Sequence, residues 1–396
     1  MSDPARTGDG DAARLADIAA SARLRRIAIL AWRDLDDPEA GGSEIHASRV
    51  ASLWAEAGIE VTMRTSYAPG SAQVGWRDGY RVIRKAGRYL VFPRAAFSEM
   101  MHWHGASDAL VEIWNGMPFF SPLWAANRPR AVWLHHVHDT MWDMTLPPRL
   151  ARLGRTIEFR VAPPLYRGTQ IVTLSQSSKD EIARRLRLRP SNITVVPPGI
   201  DPSFTPGPPS LRDPDPLVLA VGRLVPVKRF DVLIDSLAEV KLLRPALRAV
   251  IVGEGYERAA LERRIADHDA AGWISMPGRV DDAALLDLYR RAWVLASASR
   301  HEGWGMTITE AAACRTPAVA TRIPGHLDAI VDGTTGLLVD DQPALSAALD
   351  RVIRDDALRT LLGKNAFEHA AHFTWAATAR GTLEVLAAEA RRHTRA

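Results

Sequence analysis

The sequence predicts an α/β protein of two Rossmann-like domains, each a parallel sheet covered by helices, facing each other across a cleft. Three observations carry this. Strand-length apolar runs alternate with helical stretches almost throughout, the pattern of parallel strands joined by helical crossovers. The stretch DPSFTPGPPSLRDPDP (201–216) crowds proline and glycine together and reads as a linker, after which the alternation restarts. The chain's 396 residues also exceed the usual size of one domain. The division expected is 1–205, 206–375 and a last helix at 376–396.

The elements follow in order. Before the linker the strand-like runs are RIAIL (26–30), VTMRT (61–65), VEIWN (111–115), AVWLH (131–135), QIVTLS (170–175) and ITVVP (193–197). Helical stretches such as EIHASRVASLWAEAG (44–58) lie between them. After the linker come LVLAVGR (217–223), RAVIVGEG (248–255), ISMPGRV (274–280), AWVLASAS (292–299), PAVAT (317–321) and GLLV (336–339). No short internal repeat is present.

Composition sets the class. A chain 47% hydrophobic and 24% charged is ordinary for a globular protein. Residues 1–26 carry Asp3, Asp9, Asp11 and Asp17 and no apolar stretch, so they do not read as a signal peptide. No run reaches the roughly 18 apolar residues of a membrane span. The single cysteine, Cys314, excludes an internal disulfide and fits a reducing compartment, so a cytoplasmic protein is expected. Residues 1–205 hold 26 Lys and Arg against 21 Asp and Glu, a net of +5, while the remainder nets −1. A mildly basic first half suits an anionic substrate or peripheral contact with a lipid surface. The arginines are dispersed and no nucleic-acid-binding motif occurs.

The stretch HEGWGMTITE (301–310) is the most informative. On one helix Glu302 and Glu310 would lie about 80° apart around the axis, but two glycines would cost that helix roughly 1 kcal/mol each. A strand-to-helix turn holding Glu302, with Glu310 one turn into the following helix, fits better. Ligands collect at the carboxyl ends of parallel strands, and the next helix offers unpaired N–H groups there. Two carboxylates at that edge could accept hydrogen bonds from the hydroxyls of a ribose or sugar; the bland reading is a solvated acidic turn.

Other loops add to it. Gly41-Gly42-Ser43-Glu44 precedes a helix and suits close approach of a phosphate or sugar, or a plain helix entry. Asp34-Leu35-Asp36 reads as a solvated acidic loop, since no third ligand completes a metal site. In GRLVPVKRF (222–230), Arg223 and Lys228 flank the end of a strand, a planar fork and a point charge for phosphate oxygens. Gly253-Glu254-Gly255 forms another open turn. Neither a G-x-G-x-x-G nor a Walker A sequence occurs. His135, His136 and His138 cluster in WLHHVHDTMW (133–142). Adjacent side chains at a strand end point to opposite faces, so one functional His is favoured over a metal site. Trp103, Trp114, Trp124, Trp133 and Trp142 could stack on a sugar, with core packing the commoner role.

Together EGWGMTITE, GRLVPVK about 80 residues earlier, GGSE near the start, VVPPGID (195–201) and PAVATRIPGHLDAIVDGTTGLLV (317–339) resemble family 4 of the retaining GT-B glycosyltransferases. The resemblance covers about residues 26 to 375. It implies that the second domain binds a nucleotide-diphosphate sugar and the first binds an acceptor, whether glycan, lipid-linked or small molecule, with no metal and no cofactor. Arg223 and Lys228 match the diphosphate-holding positions, Glu310 the ribose-binding carboxylate and Glu302 the one that meets the sugar's hydroxyls. Gly303, Trp304 and Gly305 lie between those carboxylates on the donor side. Gly42 matches the glycine loop that reaches the diphosphate from the first domain. His135 matches the strand-end His near the sugar, or His136 under a one-residue slip. Arg279 and Val280 fall in the base-binding loop, and the last helix would cross back onto the first domain. Two departures stand out: Arg315 where the family commonly has glycine, and PGHLD (324–328) in place of Gly-Gly-x-x-Glu. The rival readings are a nucleotide-sugar 2-epimerase of the same fold and a non-catalytic nucleotide-sugar-binding protein.

Overall fold

A computed structural model describes residues 9–139 and 141–395. The chain divides into two units: one runs to Gly199 and resumes at Thr374, the other is Ile200–Phe373.

The first unit is built on eight strands: β1 (Arg26–Leu30), β2 (Glu60–Thr65), β3 (Val74–Arg77), β4 (Tyr80–Arg84), β5 (Ala109–Ile113), β6 (Arg130–Trp133), β7 (Gln170–Thr173) and β8 (Ile193–Val195). Their order across the sheet is β3-β4-β2-β1-β5-β6-β7-β8, and every pair is parallel except β3 with β4. Central strands are covered on both faces, so they read as unbroken apolar runs; all five residues of β5 are buried. The helix Gly42–Glu56 buries Ala47, Val50, Ala51, Leu53 and Trp54 on one side. The terminal helix Trp375–Arg395 packs on it, on the helix Asp9–Ser21 and on β6, and the Ala379 carbonyl accepts the Trp54 indole N–H at 2.9 Å. Trp114 and Trp133 are fully buried and Trp142 nearly so, whereas Trp103 is exposed.

Two features of this unit depart from the sequence reading. The β3–β4 hairpin was not among the expected strands; it turns at Asp78-Gly79, both at positive φ, the geometry of a two-residue hairpin loop. Asp34 is not solvated, and Asp36, though exposed, is paired with arginine. Asp34 is buried with its carboxylate 2.6 Å from Arg84 and 3.4 Å from Arg77, and Asp36 lies 2.6 Å from Arg84. Arginines of β3 and β4 thus neutralise the loop after β1, which only the hairpin's position makes visible.

The second unit has six strands, β9 (Leu217–Val221), β10 (Arg248–Val252), β11 (Ile274–Gly278), β12 (Val294–Ser297), β13 (Ala318–Thr321) and β14 (Gly336–Val339). Their order is β11-β10-β9-β12-β13-β14, all parallel. Leu233 and Leu237 of the helix Phe230–Leu243 join Val218, Ile251, Val294 and Val319 in its core. Side chains cap its helices where the sequence offers them: Asp281 accepts the Ala284 N–H at 2.8 Å and Asp341 that of Ala344 at 2.9 Å.

The expected linker is fixed onto this unit. Asp213 is buried; it pairs with Arg248 and accepts from Arg291 at 2.8 Å, and its carbonyl accepts the Trp293 indole N–H at 2.7 Å. Arg290 donates to the Thr205 carbonyl at 2.8 Å. Proline removed periodicity from 201–216 without removing packing. Arg315, the residue in place of glycine, holds φ +60° with its guanidinium over Phe367, so this position takes the left-handed backbone that glycine adopts freely.

Candidate active site

Among the parallel strands of each sheet the order reverses once, between β1 and β5 in the first unit and between β9 and β12 in the second. Loops leaving the carboxyl ends of two such strands diverge to opposite sides and leave a crevice between them. Polar side chains bridge both places.

In the second unit Lys228, from a 3₁₀ turn after β9, forms an ion pair with Glu302, from the loop after β12. Ser299 donates its hydroxyl to the same carboxylate at 2.8 Å, and the Ser299 carbonyl accepts from Thr321 at 2.5 Å. Buried His326 donates from Nδ1 to the Thr321 carbonyl at 2.8 Å. Burial works against charge on Glu302, but the Lys228 ammonium and His326 outweigh it and hold the carboxyl below its usual range. Glu302 is therefore an anion already gripped by a cation and a hydroxyl. Glycine is required twice here. Gly305 begins the helix Met306–Ala313 at φ +99°, and a Cβ on Gly325 would lie 2.6 Å from the Glu302 carbonyl oxygen.

Glu310 lies one turn into that helix, as its spacing predicts. It accepts the Tyr289 hydroxyl at 2.7 Å, and burial pushes its carboxyl up to about 7. Arg223 is half-buried directly after β9. Arg279 is exposed and Val280 half-buried beyond β11, while Gly253 and Gly255 press on the backbone of Gly222 and Leu224, binding the loops after β9 and β10 together. Trp304 does not present its ring with the others; it is buried edge-on against Phe373 at 5.0 Å. Its ring thus packs within the second unit, beside the turn that holds Glu302.

In the first unit Gly42 and Ser43 open the helix Gly42–Glu56, and Glu44 accepts the Gly41 N–H at 2.8 Å. Asn115, beyond β5, donates to the Ser43 hydroxyl at 2.8 Å, closing the reversal point. Beyond β6 the three histidines separate. His135 is 2% exposed, its Nε2 lies 3.3 Å from Nδ1 of buried His46, and burial lowers its pKa to about 4. His136 and His138 are half-buried and stacked, ring centroids 4.9 Å apart. Glu158 holds this loop. Its carboxylate accepts the N–H groups of His138 at 2.8 Å and Asp139 at 3.3 Å and the Trp142 indole N–H at 2.8 Å. It sits in a π-helical turn, Ile157–Val161, and burial pushes it up to about 7.

Asn115, Glu158, Ser299 and His326 were not singled out from sequence. PGHLD marked a departure without showing that its His326 bonds Thr321 and adds to the field on Glu302. No local signal marks Glu158, whose partners lie 16 to 20 positions away. Among the described residues no three His, Cys, Asp or Glu side chains gather as metal ligands, and no helix is long and apolar enough to cross a membrane.

Two parallel-sheet units of this kind are the fold of the GT-B glycosyltransferases. Sucrose-phosphate synthase from Thermosynechococcus elongatus matches with a TM-score of 0.77 at 21% identity, over 90% of this chain and 97% of that one. WaaG, a glycosyltransferase involved in lipopolysaccharide biosynthesis, matches at 0.73 and 18% over 91% and 99%. In sequence, residues 40–204 match Glycosyltransferase Family 4 and residues 205–369 match Glycosyl transferases group 1. D-inositol 3-phosphate glycosyltransferase of Kribbella flavida is 30% identical over 413 residues, 91% of this chain and 95% of that protein. Its namesake in Stackebrandtia nassauensis is 35% identical over 234 residues, 54% of this chain and 52% of that protein. Against that relative the match thus spans about half the relative's length. The chain belongs to the family 4 glycosyltransferases.

Proposed function

We propose that the protein moves a glycosyl unit from a nucleotide-diphosphate sugar to an acceptor hydroxyl, with retention and without a metal. The observation that carries this is the Lys228–Glu302 pair bridging the strand-order reversal of the second sheet, with Ser299 and His326 behind it. Negative charge grows on the departing diphosphate, and Lys228 with Arg223 supplies the compensating cations that a metal would otherwise provide. Glu302 is engaged by two donors, which suits it to orienting sugar hydroxyls and not to attack on the anomeric carbon. Glu310 takes the ribose hydroxyls, and Arg279 and Val280 border the base.

The first unit takes the acceptor, with Gly42 and Ser43 opening the glycine loop after β1 to a phosphate or sugar oxygen. Of the three histidines we assign His138 to the sugar. His135 is turned into the core, whereas His138 is half-buried and its backbone is fixed by Glu158. A single cysteine, which can form no internal disulfide, supports reading the reaction as cytoplasmic. The relatives' name makes inositol 3-phosphate the first acceptor to try, and UDP-glucose, present in a similar Anabaena structure, the first donor. The test is donor consumption with and without acceptor, in a metal chelator. Acceptor-dependent release of nucleoside diphosphate supports the reading; abolition by the chelator and rescue by a divalent cation would remove metal independence.

A further inference from the structure

Beside the carboxyl ends of β2 and β4, away from the histidine loop, lies a shallow hollow open to solvent. Arg64, Lys85, Arg94 and His104 line it together with Thr65 and Trp103, and no acidic side chain does. Arg64 is 4% exposed and pairs with Glu99. That same carboxylate also takes Arg128 at 2.8 Å and Ser107 at 3.1 Å. One anion therefore serves two guanidinium groups. Lys85 and Arg94 make no ion pair among the described residues. Thr65 is 1% exposed, yet its hydroxyl makes no hydrogen bond among the described residues.

His104 reports the same field. Burial first, then Arg64, Lys85 and Arg81, hold its pKa below the ordinary histidine value, with Glu99 opposing. Trp103, 53% exposed and edge-on to Phe97 at 5.3 Å, gives the hollow a flat apolar rim. Solvated surface charge would not bury Arg64 and an unsatisfied hydroxyl together. Positive charge in excess, a fork-shaped guanidinium and a buried hydroxyl suit tetrahedral oxyanion chemistry.

We propose that this hollow is a binding site for the phosphate group of a ligand whose ring or chain lies against Trp103. Three strand spacings, roughly 14 Å, separate β2 from β6. One small group therefore cannot fill this site and touch the histidine loop together. The site stands on the first unit alone; its use by the acceptor of glycosyl transfer rests on the function proposed above. A soluble phosphate ester and a phospholipid headgroup share the required chemistry, and exposed Met100 and Met101 lie close by in the chain.

The test uses the full chain without donor. Inorganic phosphate and inositol 3-phosphate are titrated while the Trp103 indole resonance, assigned with Trp103→Phe, is followed by NMR; vesicles of phosphatidylinositol and of phosphatidylcholine are compared by sedimentation. We expect a saturable shift, weakened about tenfold or more in Lys85→Ala/Arg94→Ala, the scale of lost charged hydrogen bonds, with the melting temperature kept. Thr65→Val should weaken it more mildly. Binding of the soluble phosphates alone assigns a soluble ligand, and selective sedimentation with phosphatidylinositol assigns the headgroup. Equal phosphate affinity in wild type and the double variant, or no response to any probe, overturns the site. Because no turnover is read, failure of the glycosyl-transfer reading would leave this result standing.

Discussion

Lys228 and Glu302 form an ion pair across the strand-order reversal of the second sheet, joining the loops after β9 and β12. Their side chains keep about a fifth of their surface open, so the pair is shielded yet reachable by a ligand. An interaction that strengthens as the diphosphate leaves raises turnover and not only binding. Lys228→Ala should lower turnover at saturating donor on the order of 100- to 1,000-fold, by analogy with loss of an oxyanion-hole donor. Lys228→Arg should recover only part, because a fork and a point charge differ in shape and reach. Melting curves would confirm folding. Normal turnover with weaker donor binding alone would reduce Lys228 to docking phosphate.

Glu310 makes two predictions, one on binding and one on stability. Glu310→Ala should weaken nucleoside diphosphate binding by about 1–3 kcal/mol, measured by calorimetry. The second concerns pH. Burial pushes this carboxyl up to about 7 in the folded protein, while an unfolded glutamate titrates near 4.3. Between those values the folded state keeps a proton that the unfolded state has released, so stability falls as pH rises through this window. Glu158 adds a slope of the same sign. Glu310→Gln should therefore melt progressively higher relative to wild type from about pH 5 to about pH 8. A constant difference across that range would deny Glu310 its raised pKa.

Burial separates the histidines. His138→Ala should lower turnover by about tenfold or more while leaving nucleotide affinity unchanged, the scale of one lost charged hydrogen bond. His135→Ala opens space beside His46 and should act mainly on the melting temperature. Loss of turnover in His135→Ala with full stability would reverse the assignment.

The β1 loop makes a stability prediction. Arg84→Ala removes the guanidinium 2.6 Å from buried Asp34 and should destabilise the first unit by about 3–5 kcal/mol, the cost of an uncompensated buried charge. Urea unfolding followed by a first-unit tryptophan would measure it. A change under about 1 kcal/mol would mean that Arg77 alone suffices.

Much of this was legible in the chain. The alternation of apolar runs located most strands, because buried parallel strands need uninterrupted apolar residues. Gly303 and Gly305 located the turn that separates Glu302 from Glu310. What stayed hidden was long-range. Two glycines and four charged residues interrupt the eleven positions 74–84 of the β3–β4 hairpin, and only Asp78-Gly79 betrays its turn. Burial of His135 depends on His46, 89 positions earlier, and the linker's packing on arginines 35 and 78 positions beyond Asp213. Local periodicity carries no record of such partners.

Transfer itself is the central claim, and product analysis tests it most directly. The protein would be incubated with nucleotide sugars, beginning with UDP-glucose, and inositol 3-phosphate in chelator, and the anomeric proton of the product read by NMR. The expected result is a glycosylated acceptor with the donor's anomeric configuration, formed together with nucleoside diphosphate and absent in Lys228→Ala. Release of a free 2-epimer without acceptor, or an inverted product, would contradict it.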